Sequence, residues 1–562
     1  MEYKTDVLIV GAGGAGLMAA IEAADLGAEV VVIGKTLLGK AHTVMAEGGI
    51  NAALGNVDSP DNWTVHFADT MKEGQMINNW QMVETITKEA PKIIKKLESY
   101  GALFDRTPEG KVMQRAFGGQ SFRRTCHIAD RTGLEIMQAL SAEVRRRNIK
   151  NIEECIITKI VRIKNKVVGA LGISLRSGEI ISIDCKAIIL ATGGLARVYS
   201  RSTNAWETVG DGYALALDAG AELQDMEMVQ FHPTGMVYPE SAEGLLVTES
   251  VRGEGGILLN AKNERFMSCY DPARMELSTR DVVARAIFKE IVEGRGTRHN
   301  GVWLDISHKP KDFIEKKLPK MIGKFKDFAD IDITKEKMEV APSAHYAMGG
   351  LCVHSETCQS SVEGLFAAGE VAAGVHGANR LGGNSLLDIL VFGRISGRNA
   401  ALYATHKESG EILPRVLKQE EQRLCRPFER QGVRAIDIKK RLQSLMWTNA
   451  GIVRNETQLN FALKEIKNIK KDAERIEVRG SRVYNHDWIQ YIDVMAMIPV
   501  CEMIVSSALM RKESRGAHYR SDYLEKKDLW LKNIVVRKDG ENLKLLLRPV
   551  PEVPERLKVF LK

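Results

Sequence analysis

The sequence lacks the features that mark membrane-spanning and disordered proteins. Its 562 residues contain no uninterrupted apolar run that approaches the roughly 18 residues of a membrane span. They include only 15 prolines and no low-complexity tract, and no signal peptide precedes the first apolar segment. We therefore expect a folded cytoplasmic protein, and the length alone predicts roughly three or four domains.

Cysteine is sparse, and its spacing excludes several kinds of site. The eight cysteines are scattered along the chain without a CxxC pair or a Cys/His cluster of ligand spacing. This spacing argues against a disulfide framework, a structural zinc site and an iron-sulfur cluster bound by this chain alone. We predict no metal site.

The charge balance is only mildly basic. Lysine and arginine number 79 and aspartate and glutamate 72, which gives a net charge of +7 at pH 7. Such a small excess suits anionic substrates, an anionic membrane surface or nucleic acid. Because the chain has no lysine-rich tract with interleaved aromatic residues, we do not expect nucleic acid as a partner.

A glycine-rich turn follows directly on the first apolar run. Residues 7–10 predict a buried strand, 17–26 a helix and 29–33 a second strand, around the turn Gly11-Ala12-Gly13-Gly14-Ala15-Gly16. In such a βαβ unit the glycines permit a tight turn, the approach of a pyrophosphate to the helix N-terminus and close packing of helix on strand. The second strand ends in Gly34 and Lys35 and lacks an acidic residue for ribose hydroxyls, so the motif does not choose between FAD and NAD.

Strands that end in glycine turns return twice later in the chain. Residues 156–183 alternate as in a small antiparallel meander, and a separate buried strand is predicted at 187–190, before a second glycine turn. Asp211 opens a helix after another pair of glycines. A third strand ends at Glu370, which we expect to take the hydroxyls that Gly34 cannot bind. The nucleotide-binding part is therefore split around an insertion.

Short polar phrases separated by glycines occupy the insertion and the segments before it. We predict that the phrases at 230–235, 248–256 and 343–350 are loops. Histidine, arginine, threonine and glutamate side chains, with glycines that permit close backbone approach, are typical of a pocket for an anion.

These phrases occur in the order of a known family. HTVxAEGG from residue 42, FHPTG from 231, TExxRGEGG from 248, HYxMGG from 345 and HGANRLGGNSLLD from 376 together resemble the flavoprotein subunit of succinate dehydrogenases and fumarate reductases. The resemblance extends to the Arg-Gly-Ala-His-Tyr-Arg phrase at 515–520 and so covers nearly the whole chain. It implies an α/β fold: a Rossmann-like FAD-binding domain over 1–230 and 346–402, an inserted α+β capping domain over 231–345, a C-terminal helical domain over 403–509 and a short tail that forms a C-terminal domain over 510–562.

The resemblance implies FAD as the cofactor. His42 matches the histidine that bonds covalently to the 8α carbon of the flavin. The other implied FAD contacts are Gly11, Ala12, Gly13, Gly14, Ala15, Gly16, Gly34, Lys35, Thr43, Ala46, Glu47, Gly48, Gly49, Asp211, Glu370, Ser385 and Leu386.

The resemblance also implies how a four-carbon dicarboxylate is held and how it reacts. The residues that match the dicarboxylate site are His232, Thr248, His345 and Arg380, with Phe117 and Gly118 nearby. Arg280 matches the arginine that transfers the proton, with Glu249 and Arg252 as its relay. Because a guanidinium normally keeps its proton, His232 and His345 stay open as alternative catalytic acids.

Electrons need a route beyond the flavin. The chain shows one dinucleotide fingerprint and no cysteine pattern for a cluster, so the resemblance implies that the partner is an iron-sulfur electron-transfer subunit. Membrane anchor subunits or a thiol-oxidising module are expected behind it. The chain would then lie in the cytoplasm or, if peripheral, at the cytoplasmic face of the membrane.

Three alternatives stay open at this point. A thiol:fumarate reductase uses a similar catalytic subunit, and L-aspartate oxidase shares the dicarboxylate pocket but generally lacks a histidine at position 42. A catalytically silent flavin-binding or nucleic-acid-binding protein fits the basic charge but not the full set of pocket residues. The direction of the reaction also stays open, because Glu47 resembles fumarate reductases whereas Phe231 and the 382–384 phrase lean toward dehydrogenases.

Overall fold

The computed structural model describes residues 1–561, and helices and strands alternate along most of the chain, as the predicted α/β class requires. The strands are β1 Glu2–Val10, β2 Val30–Ile33, β3 Ile50–Asn51, β4 Gln114–Arg115, β5 Thr125–Cys126, β6 Lys150–Ile152, β7 Cys155–Ile163, β8 Lys166–Ser174, β9 Ile180–Leu190, β10 Leu223–Gln224, β11 Val229–Met236, β12 Ile257–Leu259, β13 Val302–Asp305, β14 Met338–Ala347, β15 Gly350–Leu351, β16 Leu365–Ala367, β17 Val433–Arg434, β18 Ile476–Glu477, β19 Lys532–Asp539 and β20 Asn542–Pro549. The α-helices are α1 Gly14–Asp25, α2 Trp63–Glu73, α3 Trp80–Ser99, α4 Thr132–Arg146, α5 Asp211–Asp218, α6 Ser250–Gly253, α7 Arg280–Glu290, α8 Lys311–Lys317, α9 Pro319–Ala329, α10 Asn384–Thr405, α11 Pro414–Cys425, α12 Ala435–Asn449, α13 Glu456–Ala473, α14 His486–Met510 and α15 Glu555–Lys558.

The main sheet has the strand order β6-β2-β1-β9-β8-β7, and β16 also pairs with β9. Strand β9 pairs in parallel with β1 along one edge, while its other edge pairs first with β8 and then with β16. The prediction of a meander and a separate strand at 187–190 was wrong in one respect, since β9 runs unbroken through both. The alternation of buried and half-buried side chains continues through residues 184–186, so nothing interrupts the strand.

The first βαβ unit forms as predicted, but its helix begins earlier. Helix α1 starts at Gly14 instead of residue 17, so the end of the glycine motif lies inside the first helical turn. Gly11 has φ +118°, a conformation that favours glycine. A Cβ atom on Gly16 would lie 1.9 Å from the carbonyl oxygen of Gly11, so only glycine permits this contact between helix and turn.

A second sheet lies between residues 229 and 347, with the strand order β11-β14-β13-β12 and antiparallel pairing. Two of the three phrases predicted as loops are strands of this sheet, because FHPTG belongs to β11 and the start of SAHYAMGG to β14. Their buried polar side chains hide the alternation that marks a strand. The sheet, α7 and α9 enclose a separate apolar core. The boundaries of the predicted capping domain stay a prediction.

The helices after residue 402 pack around α14, as the predicted helical domain requires. Of the described helices, α14 is the one long and apolar enough to cross a membrane, yet 67% of its most apolar 18-residue window is buried against the rest of the protein. Helices α12 and α13 pack against it, so α14 is the core helix of this bundle.

The C-terminal segment has more structure than the word tail suggests. Strands β19 and β20 form a hairpin, and β19 pairs with β10 in a four-stranded sheet of order β15-β10-β19-β20. The end of the chain is therefore built onto a strand from its first half.

Candidate active site

One elongated cavity runs from the glycine turn after β1 to the strands β11 and β14. It encloses about 1600 Å³, including its open mouth, and both the main sheet and the second sheet contribute to its wall. All predicted site residues line this cavity except Gly16, Gly118 and Arg252.

The glycine end of the cavity is suited to a phosphate group. Helix α1 has no side-chain hydrogen bond at its N-cap and no acidic residue in its first turn. Its first backbone amides and the positive end of its dipole are therefore available to an anion. Gly13 and Gly14 lie on the cavity wall without side chains that would cover these amides.

A carboxyl group lies where ribose or ribityl hydroxyls are expected. Glu370 follows β16, lines the cavity and accepts a hydrogen bond from the amide of Ala347 at 2.9 Å. Burial raises the pKa of Glu370 to about 8, so its carboxyl is mostly protonated at neutral pH. A side chain at Gly194 would occupy the same space as this carboxyl, which explains the second glycine turn. The cavity thus offers both a phosphate site and a hydroxyl site, and these residues fit a dinucleotide.

His42 is held by one ring nitrogen. Its Nδ1 accepts a hydrogen bond from the amide of Ala205 at 3.2 Å, while Nε2 lies 3.4 Å from the amide nitrogen of the Asn204 side chain. Burial, together with the positive charge of Arg197, lowers the pKa of His42 to about 4. The imidazole is therefore neutral at physiological pH, and Nε2 is the nitrogen not fixed by the backbone.

Glu47, five residues after His42, carries a contact that sequence reasoning missed. Its Oε1 lies 2.8 Å from Nζ of Lys324 and 3.0 Å from Nζ of Lys320, both on α9. A lysine-rich helix reads as a solvated surface, so the sequence offers no signal for this pairing.

Two histidines face each other on neighbouring strands at the far end of the cavity. The rings of His232 on β11 and His345 on β14 have centroids 5.0 Å apart, because a register shift beside Phe231 places them side by side. Thr203 lies 2.7 Å from Nδ1 of His345. Burial and the neighbouring arginine charges hold the pKa of both histidines well below the ordinary value, so both rings are neutral.

Arg380 is the cation without a carboxylate partner in this part of the cavity. It donates to Oγ of Ser385 at 3.1 Å, lies 4.5 Å from the ring centroid of Tyr346 and leaves its Nε without a partner among residues 1–561. Burial and the nearby charge of Arg280 lower the pKa of Arg380 to about 9. An anion in the cavity would therefore find an unpaired guanidinium.

Arg280, by contrast, is paired with a carboxylate. It begins α7, and its Nε and Nη2 donate to Oε2 of Glu249 at 2.8 and 2.7 Å. Burial raises the pKa of Glu249, but the charges of Arg280 and Arg252 outweigh it and bring the pKa to about 2. Arg252 lies behind Glu249, fully buried, with a nitrogen 3.9 Å from the same oxygen.

The three predicted residues that do not reach the cavity have supporting positions. Gly16 packs α1 on the glycine turn, and the amide of Gly118 donates to Glu249 at 2.9 Å. Arg252 contacts Glu249 from the side away from the cavity. These residues orient groups of the cavity wall and do not contact a ligand directly.

A second hydrogen-bonded chain leads from Arg280 away from Glu249. Arg280 donates to Gln230 at 3.3 Å, Gln230 donates to Asn379 at 2.7 Å, and Asn379 donates to Glu73 at 2.6 Å. Sequence reasoning missed these residues, although Gln230 and Asn379 stand inside or beside the phrases quoted above. Burial and the charges of Asp281 and Glu249 raise the pKa of Glu73 well above its ordinary value.

No group of three metal-ligating side chains is found in residues 1–561, and all eight cysteines are free thiols. A cavity that begins at an uncapped helix N-terminus and ends among cations suits an enzyme that oxidises or reduces an anion with a bound dinucleotide. The fold and site therefore define a dinucleotide-dependent oxidoreductase.

Comparisons with known proteins identify the family. The family described as "FAD binding domain" matches residues 6–386, and the one described as "Fumarate reductase flavoprotein C-term" matches residues 439–557. A subunit of the fumarate reductase (CoM/CoB) of Methanothermobacter marburgensis is 46% identical over 96% of this chain and 98% of its own length. Among solved structures, Sdh1 of Mycobacterium smegmatis is 42% identical with a TM-score of 0.89, over 99% of this chain and 96% of that one. FrdA of the E. coli quinol fumarate reductase is 32% identical with a TM-score of 0.93, over 98% of both chains.

The chain belongs to the family of flavoprotein subunits of succinate dehydrogenase and fumarate reductase, and it is an FAD-dependent oxidoreductase. The resemblance stated from the motifs and the predicted fold class are both confirmed. FAD is the cofactor, which answers the choice that the glycine motif left open.

Proposed function

We propose that the chain interconverts succinate and fumarate, with the dicarboxylate held between Arg380 and the histidine pair. The observation that carries this proposal is the contrast between the two buried arginines on one cavity wall. Arg280 is paired with Glu249, whereas Arg380 has no carboxylate partner within residues 1–561. One guanidinium is thus free to bind a carboxylate and the other is set up for chemistry.

In this proposal both ends of the substrate are bound. Arg380 offers a planar two-pronged donor to one carboxylate, while Thr248 and the neutral rings of His232 and His345 offer donors to the other. Bound FAD supplies hydride acceptance and donation at its ring. The protein positions the dicarboxylate for that transfer and excludes water from it.

Arg280 is proposed as the acid that gives a proton to the substrate during fumarate reduction. Glu249 contacts two of its nitrogens and stays ionised, so it can return a proton to Arg280 and balance the charge afterwards. Arg252 completes the relay behind Glu249.

His42 is proposed as the covalent attachment point of FAD. A substituted imidazole needs one nitrogen for the bond and can keep the other as an acceptor. Nδ1 accepts from the backbone of Ala205, so Nε2 is the nitrogen available for the bond. After acid precipitation of the pure protein, flavin colour should stay with the pellet, and colour in the supernatant would argue against the bond.

We further propose that the partner is an iron-sulfur electron-transfer subunit, with membrane anchor subunits or a thiol-oxidising module behind it. The chain itself has no cluster of cysteines among its described residues, and its relative in M. marburgensis is named as one of several subunits. The expected location is the cytoplasm or the cytoplasmic face of the membrane. Copurification from the native source should reveal the partner.

A thiol:fumarate reductase is the second candidate. The observation in its favour is the 46% identity to the M. marburgensis protein, whose name includes CoM/CoB. In that case thiols supply the electrons and the chain keeps the same dicarboxylate chemistry. L-aspartate oxidase is the weaker alternative, because His42 and Gly382-Gly383 depart from its usual pattern.

Two assays test the proposal. Fumarate reduction with an artificial electron donor, and succinate oxidation with an artificial acceptor, should both proceed with the isolated flavoprotein. Turnover of L-aspartate with oxygen, together with inactivity toward fumarate and succinate, would overturn it. Reduction supported by thiols, once the partner is present, would favour the second candidate over a quinone-linked enzyme.

A further inference from the structure

Helix α9, in the inserted segment, brings two lysines to the wall of the FAD cavity. Nζ of Lys324 lies 2.8 Å, and Nζ of Lys320 3.0 Å, from Oε1 of Glu47. Glu47 is 2% exposed and belongs to the same loop as His42, while the Lys324 side chain is only 12% exposed. A buried carboxylate beside the cofactor therefore meets at least one buried ammonium group.

The position of Lys324 is fixed from several sides. Its ammonium group also donates to the carbonyl oxygen of Leu246, at 2.5 Å. Met321 and Phe325 bury the adjacent face of α9 in the core of the inserted segment. The N-terminus of α9 is held by Asp130, whose carboxylate accepts from the amides of Lys320 and Met321 at 2.9 and 3.1 Å. Lys324 therefore cannot turn away from Glu47 without displacing the helix.

We propose that Lys324 is a positioning residue that sets the reduction potential of the bound flavin by compensating the charge of Glu47, a role that rests on the function proposed above. A reduced flavin is more negative than an oxidised one, so a lone carboxylate beside it lowers the potential and favours fumarate reduction. Glu47, Lys320 and Lys324 together have a net charge of +1. This arrangement opposes the bias that Glu47 alone would give and moves the enzyme toward succinate oxidation.

The two lysines differ in solvent exposure, and this difference predicts their relative effect. Lys320 is 37% exposed, so water and salt screen its charge, whereas the charge of Lys324 acts through a drier path. The larger contribution therefore belongs to Lys324.

The test is the midpoint potential of the flavin in purified holoenzyme, measured by spectroelectrochemical titration without dicarboxylate. Lys324→Met should lower the potential by an amount that corresponds to about a tenfold change in the ratio of oxidised to reduced flavin, or about 30 mV for a two-electron couple. Glu47→Gln should raise it by a similar amount. The double variant has the wild-type net charge and should return close to the wild-type potential.

Three controls keep the result interpretable. Lys324→Arg keeps the charge and should keep the potential, and Lys320→Met should shift it less than Lys324→Met. Lys326→Met, on the same helix, removes a 62% exposed lysine that pairs with Asp330, and should leave the potential unchanged. Lys324→Gln replaces Lys324→Met if the latter does not retain FAD.

An unchanged potential in both Lys324→Met and Lys324→Gln, or a shift no larger than that of Lys326→Met, would overturn the role of Lys324. That result leaves the proposed function intact, because fumarate reduction and succinate oxidation are assayed separately. If the potentials shift as expected but wild-type protein turns over neither dicarboxylate, the proposed function fails and the electrostatic effect stands.

Discussion

Arg280 and Arg380 are both buried, but they differ in what surrounds them. Arg280 donates two nitrogens to Glu249, while Arg380 contacts a hydroxyl group and the face of Tyr346. Composition alone would assign both as carboxylate clamps. The ion pair with Glu249 separates them, because it occupies Arg280 and gives it a route for protons.

Arg280→Lys should therefore affect turnover rather than binding. We expect dicarboxylate affinity to stay within a few fold, and turnover of fumarate to fall by a factor on the order of 10³, because positioned proton transfer contributes about 10² to 10⁴. Arg380→Lys should instead weaken binding, since a point charge cannot replace a planar two-pronged donor. Steady-state fumarate reduction and flavin absorbance during dicarboxylate titration measure the two effects. Weakened binding with near-normal saturated turnover in Arg280→Lys would move the acid to His232 or His345.

The histidine pair predicts how dicarboxylate binding depends on pH. His232 and His345 are neutral in the free site, because burial and the neighbouring cations hold the pKa of each well below its ordinary value. A bound dianion attracts protons and raises these pKa values, so binding is linked to proton uptake. Affinity should therefore increase as the pH falls from 8 to 6, by at most about tenfold per pH unit for each proton taken up.

The dissociation constant of a dicarboxylate, followed through flavin absorbance across this range, provides the measurement. His345→Gln keeps a polar side chain but cannot titrate, and it should flatten the dependence. Affinity that is constant or falls toward pH 6 in wild-type protein would contradict proton uptake by the pair.

At the scale of elements, the sequence predicted the first βαβ unit, the strand before Glu370 and the helices after residue 402. These elements have clean apolar periodicity and glycine at the turns, which local physics can read. Strands β11 and β14 were predicted as loops because function fills them with buried polar residues such as Gln230 and His232. Their buried side chains do not alternate, so the period of two is lost.

The candidate site divides in the same way. His42, Glu249 and Arg380 lie in recognisable phrases and line the cavity as expected from the resemblance. Lys324 and Glu73 lie on helices with ordinary surface composition. They meet the site only through packing between segments far apart in sequence, and no local pattern encodes such contacts.

Helix α9 provides a prediction at this scale. Its N-terminus has no cap from its own sequence, and Asp130 supplies one from a distant loop. Asp130→Ala should cost about 1 kcal/mol in local stability and speed amide hydrogen exchange in residues 319–329. Asp130→Asn keeps an acceptor for the same amides and should show a smaller change. Equal exchange rates in wild type and Asp130→Ala would mean that packing alone holds α9.

At the scale of the whole molecule, a buried ionic cluster joins the end of the chain to its first half. Arg511 is fully buried, and its Nε donates to Glu227 at 2.6 Å across 284 residues of sequence. It also contacts Glu513 at 3.1 Å and Asp225 at 3.5 Å. Strand β19, which follows this cluster, pairs with β10 just before Asp225. The C-terminal hairpin is therefore fixed by both backbone pairing and buried charge.

The last prediction compares this cluster with an exposed ion pair. Arg511→Leu leaves Glu227 and Asp225 buried without their main cation, and removal of one partner from a buried ion pair typically costs about 3 to 5 kcal/mol. Arg556→Leu breaks the pair with Glu84, where the arginine side chain is 57% exposed, and should cost at most about 1 kcal/mol. Thermal unfolding followed by flavin fluorescence and by circular dichroism should show a clear loss of apparent Tm for Arg511→Leu alone, since a chain of this size unfolds irreversibly and only apparent values are comparable. Because Glu513 also contacts Arg515, Arg511→Leu/Glu227→Gln should recover part of the loss by removing the stranded charge. Equal small effects of Arg511→Leu and Arg556→Leu would show that the hairpin is held by its strand pairing and apolar contacts instead of by the buried cluster.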